Sequence, residues 1–434
     1  MNLPFSKHTL ANGLDVLLHV DRSCPIVAVN LWYHVGSKNE RPGHTGFAHL
    51  FEHLMFEGSQ HHDHGYFQPL QGAGGTLNGS TNADRTNYWE VVPSNALELA
   101  LWMESDRMGY LLPALTQAKF ANQRDVVLNE RRQNYENRPY GLAPMAMLSK
   151  LFPADHPYHW TTIGEVADLE ATRLDEVHAF FQRYYHPGNA SLSIAGDIDP
   201  DDTLELIDRY FGDIPPGERV PRVETEARLG EDTRIMFEDR VELPRLYIAW
   251  LTPAMFADAD AELDLANDLL ANGKTSRLYK RLVFDERIAT DVSASQNSRE
   301  MSGFTQIAAT AAPGHGLAEL EAIILEEIER LVGGGPTADE MERGRVQAEA
   351  QFIYRLQTVG GFGGKSDQLN AYNVFLNDPS YFDRDLQRYR AVTPQSLQQA
   401  VRRYLDPLAR VTLSIVPRGR RELAAPHSES IVVV

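Results

Sequence analysis

A helix–proline–strand pattern occurs twice in this chain, and it constrains the fold more than any other sequence feature. In the first copy, residues 174–187 have helical composition, end in Arg-Tyr-Tyr-His-Pro and lead into a strand at 190–195. In the second copy, residues 396–407 end in Arg-Tyr-Leu-Asp-Pro and lead into a strand at 411–416. The prolines that close the two copies are 220 residues apart, about half of the 434-residue chain. A period of this size indicates an internal duplication.

The duplication predicts an α+β protein made of two homologous α/β-sandwich domains, each an antiparallel-rich sheet packed with helices. We expect the first domain over 1–215 and the second over 232–434. The segment 216–231 is predicted to be a linker, because a Pro-Pro-Gly turn and a polar stretch are typical of connections. Near the N-terminus, Asn12-Gly13 predicts the turn of a β-hairpin, and the apolar alternation at 26–35 predicts a buried strand.

A candidate metal site follows the predicted strand. Residues 49–53 read His-Leu-Phe-Glu-His. In a helix each residue turns by about 100°, so His49 and His53 lie one turn apart on one face, where both imidazoles reach a single ion. Zn²⁺ held by three protein ligands leaves a position for water, and Glu52 stands beside it as a general base. The pattern is the inverted form of the His-Glu-x-x-His arrangement.

The alternative is a helix in which two histidines and an acid occur together by chance. The surrounding residues 46–56 are mainly apolar, and polar groups buried on such a helix need partners. One cation would satisfy all three side chains, which favours the metal site. The residues alone do not choose the third ligand, and Glu104, Glu130 and Glu136 all remain candidates.

The helix and its sequel resemble the pitrilysin, insulin-degrading-enzyme and mitochondrial-processing-peptidase family of inverted zinc peptidases. That family takes its third ligand from a glutamate about 75 residues further on, and Glu130 lies 77 positions after His53. The resemblance therefore implies His49, His53 and Glu130 as zinc ligands and Glu52 as the catalytic base of a zinc-dependent endopeptidase. It also implies two-domain halves that close around a peptide substrate. The segment 76–88 resembles the family's substrate-pairing edge strand, with Asn78 and Gly79 opposite the metal.

The chain departs from the family pattern at two places. An acidic residue seven positions before the third ligand usually supports it, and Gln123 stands there, so we expect weaker tuning of the site. Single-chain and homodimeric members of the family also have an arginine in the second domain, followed seven residues later by a tyrosine, where this chain has Val283 and Thr290. We therefore predict that a partner subunit supplies this pair in a heterodimer; a homodimer is the other possibility.

Two further readings of function stay open at this point. Some relatives are non-catalytic scaffold subunits of larger complexes, but they have lost the ligand set that this chain retains. A metal-binding protein without turnover is the other reading. The repeat-equivalent segment 262–272 has no histidine, so one metal site per chain is expected.

Two other motifs are weaker. The run 359–366, Val-Gly-Gly-Phe-Gly-Gly-Lys-Ser, lacks the first glycine of a phosphate-binding loop and does not follow a predicted strand. A flexible turn or a substrate-contacting loop is favoured there. The run 61–64, His-His-Asp-His, is interpreted as a solvated loop rather than a second metal site.

Composition limits the partners. The formal net charge of −19 repels phosphate backbones, so nucleic acid is not expected. No apolar run approaches the roughly 18–20 residues that span a bilayer. The first residues carry no apolar signal segment, and the single cysteine, Cys24, has no internal disulfide partner. We expect a cytoplasmic protein, or a periplasmic one if a signal peptide has been removed.

Overall fold

The computed structural model describes residues 3–433 and contains two six-stranded sheets. The first sheet has the order β1-β2-β6-β3-β5-β4 and the second β12-β7-β11-β8-β10-β9. The strands of the first sheet are β1 (Ser6–Thr9), β2 (Asp15–Val20), β3 (Ile26–Tyr33), β4 (Thr76–Thr81), β5 (Thr86–Pro93) and β6 (Ala190–Gly196). Those of the second are β7 (Thr233–Asp239), β8 (Arg245–Thr252), β9 (Ala289–Asn297), β10 (Gly303–Ala311), β11 (Val411–Pro417) and β12 (Glu429–Ser430).

Five strands of each sheet share one topology. In the first sheet β2 pairs parallel with β6, and antiparallel pairs then join β6 to β3, β3 to β5 and β5 to β4. In the second sheet β7 pairs parallel with β11, and β11, β8, β10 and β9 follow in the same antiparallel sequence. The predicted repeat strands, β6 and β11, occupy equivalent positions. The predicted fold class, two homologous α+β halves, is confirmed.

Fourteen α-helices lie within the described residues. The first half contains α1 (Phe47–Leu54), α2 (Phe67–Gly72), α3 (Leu97–Ala114), α4 (Gln117–Arg131), α5 (Ala143–Leu151), α6 (Val166–Ala171), α7 (Leu174–Tyr184) and α8 (Pro200–Phe211). The second half contains α9 (Asp260–Ala271), α10 (Leu317–Gly334), α11 (Ala338–Arg355), α12 (Lys365–Leu376), α13 (Phe382–Ala391) and α14 (Pro394–Tyr404). No helix in residues 3–433 combines the length and the apolar character needed to cross a membrane.

The two compact units of the molecule are discontinuous in sequence. The first unit ends its opening stretch at Asn129 and adds Thr161–Val223 and Gln351–Arg384. The second unit comprises Glu130–Trp160, Glu224–Ala350 and the C-terminal stretch from Asp385. All six strands of the first sheet nevertheless precede residue 216, and all six of the second follow residue 231. The two sheets therefore lie on either side of residues 216–231, whereas the compact units also exchange helical segments, and the domain bounds 1–215 and 232–434 stay a prediction.

The exchanged segments cover equivalent sheet faces. In the first unit, α12 packs on β2, β3 and β6, and Asp367 accepts hydrogen bonds from Asn30 (3.3 Å) and Trp32 (2.9 Å) of β3. In the second unit, α5 packs on β8 and β11. Because side chains alternate along a strand, Val29, Leu31 and Tyr33 face the other side of the first sheet, where α3 packs and α1 lies against β4 and β5.

Candidate metal centre

The N-terminus of α1 is anchored by its surroundings. Both carboxylate oxygens of the buried Glu40 accept backbone N–H groups at the start of α1, from Gly46 at 3.0 Å and from Ala48 at 2.9 Å. A carboxylate there satisfies two unpaired helix donors and complements the helix dipole. Gly46 has φ of +88°, and a Cβ on the facing Gly164 would lie 2.5 Å from the Gly46 Cα. These contacts fix where α1 begins and which way its faces point.

The candidate site residues of α1 share its open face. Phe47, Ala48, Leu50, Phe51 and Leu54 are buried. His49, Glu52 and His53 are the only half-buried positions in the helix, and the two imidazole ring centres lie 4.9 Å apart. The helix therefore buries its apolar side and presents both imidazoles and the carboxylate on a partly exposed one.

Glu130, near the end of α4, completes a three-residue group with His49 and His53. One ligand atom from each residue lies within 4.8 Å of the others, and all three side chains are half-buried. Among residues 3–433, no other group of His, Cys, Asp or Glu side chains meets this criterion. Two imidazoles and one carboxylate are a zinc ligand set that leaves a coordination position open. The residues present therefore fit the metal that the sequence predicts.

The two competing glutamates are engaged elsewhere. Glu104 is fully buried in α3 and pairs with Arg107. Glu136 lies in the π-helical turn after α4 and pairs with Arg131 at 3.2 Å. The geometry thus favours Glu130, which the residues alone did not single out.

The surroundings of the third ligand include partners that the sequence did not reveal. Asn134 donates its side-chain N–H to Glu130 at 3.2 Å, from one turn further along. Gln123 donates to a carboxylate oxygen of Glu57, which lies four residues after His53. The supporting role of Gln123 toward the ligands stays a prediction. The i,i+4 spacing of Glu130 and Asn134 is the signal that would have found the first contact.

The segment with Asn78 and Gly79 forms β4, which lies at the edge of the first sheet. Gly79 is buried and faces Phe56, and a Cβ there would lie 3.2 Å from that ring and 3.0 Å from Tyr88. Asn78 is exposed, and its side-chain oxygen accepts the Gly79 N–H at 2.8 Å. The strand packs against α1, so its free edge is available beside the helix that carries the histidines. The contact of Asn78 and Gly79 with substrate stays a prediction.

A half-buried arginine adds positive charge near Glu52. Arg85, in the turn between β4 and β5, stacks over Trp32 at 5.1 Å and donates to the Ser80 carbonyl at 2.9 Å. Burial lowers the pKa of Arg85, while the carboxylates of Asp367, Glu52 and Asp84 act in the opposite direction. Sequence reasoning missed Arg85, because its proximity to Glu52 depends on the packing of the β4–β5 hairpin against α1.

Arg107, Glu90 and Glu104 form a buried ion cluster. The Arg107 guanidinium is 1% exposed, bonds Glu104 and Glu90, and stacks on Tyr66 (4.1 Å) and Tyr88 (4.2 Å). Burial, followed by the Glu104 charge, raises the pKa of Glu90 well above its usual range. One arginine with two buried carboxylates is neutral only if one carboxyl holds a proton, and the raised pKa favours Glu90 as that group.

Replacing Arg107 by methionine is expected to lower the free energy of unfolding by about 3–5 kcal/mol, because Glu104 stays buried without its counter-charge. Urea unfolding near pH 7 measures the loss. Glu90→Gln is the matched variant, and it should change stability less at that pH, because the amide keeps the uncharged state that the raised pKa of Glu90 favours.

The same cluster predicts a pH dependence. A carboxyl with a raised folded pKa stabilises the protein at low pH and loses that contribution as pH rises through the folded pKa. Wild-type stability should therefore fall toward alkaline pH, and Glu90→Gln should reduce the fall. Equal losses in the Arg107 and Glu90 variants at pH 7 would contradict this charge assignment.

The glycine-rich run 359–366 and the histidine run 61–64 both make contacts with the rest of the structure. The glycine-rich segment 359–364 packs on the first sheet, where a Cβ on Gly360 would lie 2.5 Å from the Ala28 Cβ, and Phe362 meets the Trp89 ring edge-on at 5.5 Å. In the histidine run, the His61 imidazole pairs with Asp106 at 2.5 Å. Within residues 3–433 this run does not appear as a metal-binding group.

The positions expected for an arginine–tyrosine pair have other roles. Val283 lies in a π-helical segment, Tyr279–Asp285, and packs against the core of the second unit. Thr290 lies in β9, and its hydroxyl donates to Asp291 at 3.2 Å. Helix α9 follows β8 as α1 follows β3, and it contains no histidine.

Known proteins are similar to this chain in both sequence and fold. The chain is 29% identical over 363 residues to the zinc protease PqqE of Helicobacter pylori, a match that covers 82% of this chain and 81% of that protein. The crystal structure of a protease from Helicobacter pylori has a TM-score of 0.89 and 26% identity, covering 96% of this chain and all of that one. The peptidase M16 inactive domain from Pseudomonas fluorescens shares the fold, with a TM-score of 0.85, 18% identity and coverage of 98% and 100%.

Family models match both halves. Residues 15–156 match the model described as insulinase (peptidase family M16), and this segment contains α1 and Glu130. Residues 172–347 match the model described as the peptidase M16 inactive domain. The two segments together cover most of the chain, and the family resemblance seen in the sequence is confirmed. The chain belongs to the insulinase family of peptidases, family M16.

Proposed function

We propose that this chain is a zinc-dependent endopeptidase whose active centre is formed by His49, Glu52, His53 and Glu130. One observation carries the proposal: two imidazoles and a distant carboxylate converge within 4.8 Å, while Glu52 lies on the same open helix face. The names of the relatives support zinc and proteolysis in general terms. The assignment of individual roles rests on the geometry.

His49, His53 and Glu130 would hold the ion. Bound zinc supplies Lewis acidity, which activates water and polarises the scissile carbonyl. Glu52 accepts the proton of the attacking water at a carboxylate oxygen and then donates it to the nitrogen of the leaving amine. Arg85 places positive charge near Glu52.

Strand β4 would align the substrate. Its outer edge has no neighbouring strand within the described residues, and an extended peptide can add there through main-chain hydrogen bonds. Such binding depends little on side chains, so it suits peptides or unfolded segments. The side-chain oxygen of Asn78 accepts the Gly79 N–H in the structure. This hydrogen bond would break when a bound peptide accepts the Gly79 N–H instead.

We propose further that a partner subunit completes the site. Val283 and Thr290 stand where other family members have the arginine and tyrosine, and the loss of oxyanion donors typically costs about 10²–10³ in rate. The second candidate function, a non-catalytic subunit, is favoured only by the match of residues 172–347 to a domain described as inactive. That match lies outside the segment with the ligand set.

Cleavage of an unfolded protein by the purified chain tests both proposals. We expect slow, chelator-sensitive cleavage by the chain alone, and faster cleavage after addition of a co-purifying subunit. Full activity without any partner would refute the heterodimer and leave the peptidase standing. No cleavage with or without the partner, despite bound zinc, would support the non-catalytic reading.

A further inference from the structure

A pocket of about 710 Å³ lies beside the third ligand, entirely within the second compact unit. Glu130 forms one side, and the turn from Arg138 to Tyr140 forms another. Its floor includes Arg245 and Tyr247 of β8, and Arg299 lines it from the connection between β9 and β10. This volume falls within the roughly 300–1,000 Å³ typical of ligand pockets.

The pocket is basic in an acidic protein. Three arginines line it (Arg138, Arg245 and Arg299), and Glu130 is the only acidic lining residue. Zinc coordination would neutralise the Glu130 charge. The chain as a whole has a net charge of −19, so a pocket lined by three arginines contrasts with the overall charge of the protein.

Aromatic rings hold two of these guanidinium groups in place. Arg245 stacks over Tyr140 at 4.0 Å, and Arg299 stacks over Tyr158 and Phe304, both at 5.0 Å. Stacked arginines are pre-organised, and their planar forks match a carboxylate. Arg245 pairs with Asp291 at 3.8 Å, where the Asp291 side chain is 55% exposed, and such a surface pair contributes little.

Two tyrosines beside the arginines stay protonated. Burial raises the pKa of both Tyr140 and Tyr247, although the nearby arginines act in the opposite direction. The Tyr140 hydroxyl donates to the Leu243 carbonyl at 2.8 Å, which holds the ring under Arg245. The pocket thus offers fixed cations without a negatively charged tyrosine beside them, a setting that suits an anionic group.

We propose that this pocket binds a carboxylate of the substrate close to the scissile bond, and so gives the peptidase a preference for peptides that carry a carboxylate within a few residues of that bond. The inference rests on the proposed function, because only then does Glu130 mark the cleavage point. An extended peptide advances about 3.3 Å per residue, so a residue within a few positions of the cleaved bond fills the pocket. The carboxylate is either an Asp or Glu side chain or the peptide's own C-terminus.

Peptide binding to zinc-loaded Glu52→Gln protein tests the proposal without turnover. Fluorescence anisotropy would compare a labelled peptide containing Glu with its Gln analogue, and a free C-terminus with its amide. We expect at least about tenfold tighter binding of one acidic form, as a charge-assisted hydrogen bond provides. The arm with the preference identifies the source of the carboxylate.

Variants then test whether the preference for a carboxylate depends on the arginines of the pocket. Arg245→Gln combined with Arg299→Gln should reduce the preference to less than about twofold and leave the neutral peptide's affinity unchanged. Arg138 is exposed, so Arg138→Gln tests the pocket without disturbing the fold, and a several-fold loss is expected. Arg330→Gln, on the exposed side of α10, should retain the full preference.

The outcomes separate the two proposals. Equal binding of acidic and neutral peptides, or a preference that survives all pocket variants, overturns the carboxylate site while wild-type cleavage still supports the peptidase. Absence of both cleavage and peptide binding overturns the proposed function and the pocket together.

Discussion

Substituting Glu52 by glutamine is expected to lower the rate of peptide cleavage by about 10²–10⁴-fold, the usual contribution of a general acid–base group. Glutamine has the same shape but cannot accept the proton of the attacking water. Glu52 is half-buried on α1 and is not one of the grouped ligands, so the variant should fold and retain its zinc. Steady-state cleavage of a quenched fluorescent peptide, together with zinc content, measures both properties.

The control for this variant lies in the repeat-equivalent helix. Glu262→Gln alters a half-buried glutamate of α9, a helix without histidines. We expect wild-type cleavage and zinc content. If Glu52→Gln retained most of its activity, Glu52 would not be the base, whereas loss of zinc from that variant would make Glu52 part of the metal's support instead.

Substituting Glu130 by alanine is expected to release the metal. The carboxylate is the one ligand that does not come from α1, and its removal leaves two imidazoles, too few for a stable zinc site. The loss of affinity should exceed the roughly 10–100-fold typical for removal of an outer-shell partner. Titration with a competing zinc chelator gives the affinity, and cleavage should fall in parallel.

Two matched variants test whether the loss of zinc is specific to Glu130. Glu136→Gln changes a glutamate six positions away that pairs with Arg131, and it should retain zinc. Asn134→Ala removes the 3.2 Å contact to Glu130 and should weaken zinc binding by about 10–100-fold. Retention of wild-type affinity in Glu130→Ala, with loss in Glu136→Gln, would reverse the assignment.

Sequence reasoning predicted those features that depend on residues close together along the chain. The spacing of His49 and His53 within one helix turn determines their common face, so that part of the site followed from helix geometry. The repeat predicted two related halves, and the equivalent places of β6 and β11 confirm it. The Asn12-Gly13 turn likewise leads to the β1–β2 pair.

Features that depend on long-range packing could not be predicted. The residues left Glu130 in competition with Glu104 and Glu136, and the family resemblance was needed to choose it. The exchange of α5 and α12 between compact units, the contact of Gln123 with Glu57 and the three-arginine pocket each join segments far apart in sequence. No local pattern encodes such contacts.

Zinc content per chain tests the central claim most directly. Elemental analysis of the purified wild-type protein should give one zinc per chain, since a single ligand group is found in the described residues. His53→Ala, which removes one imidazole, should give almost none. A wild-type protein that binds no zinc when supplied with it, or a His53→Ala protein that keeps a full equivalent, would contradict the account.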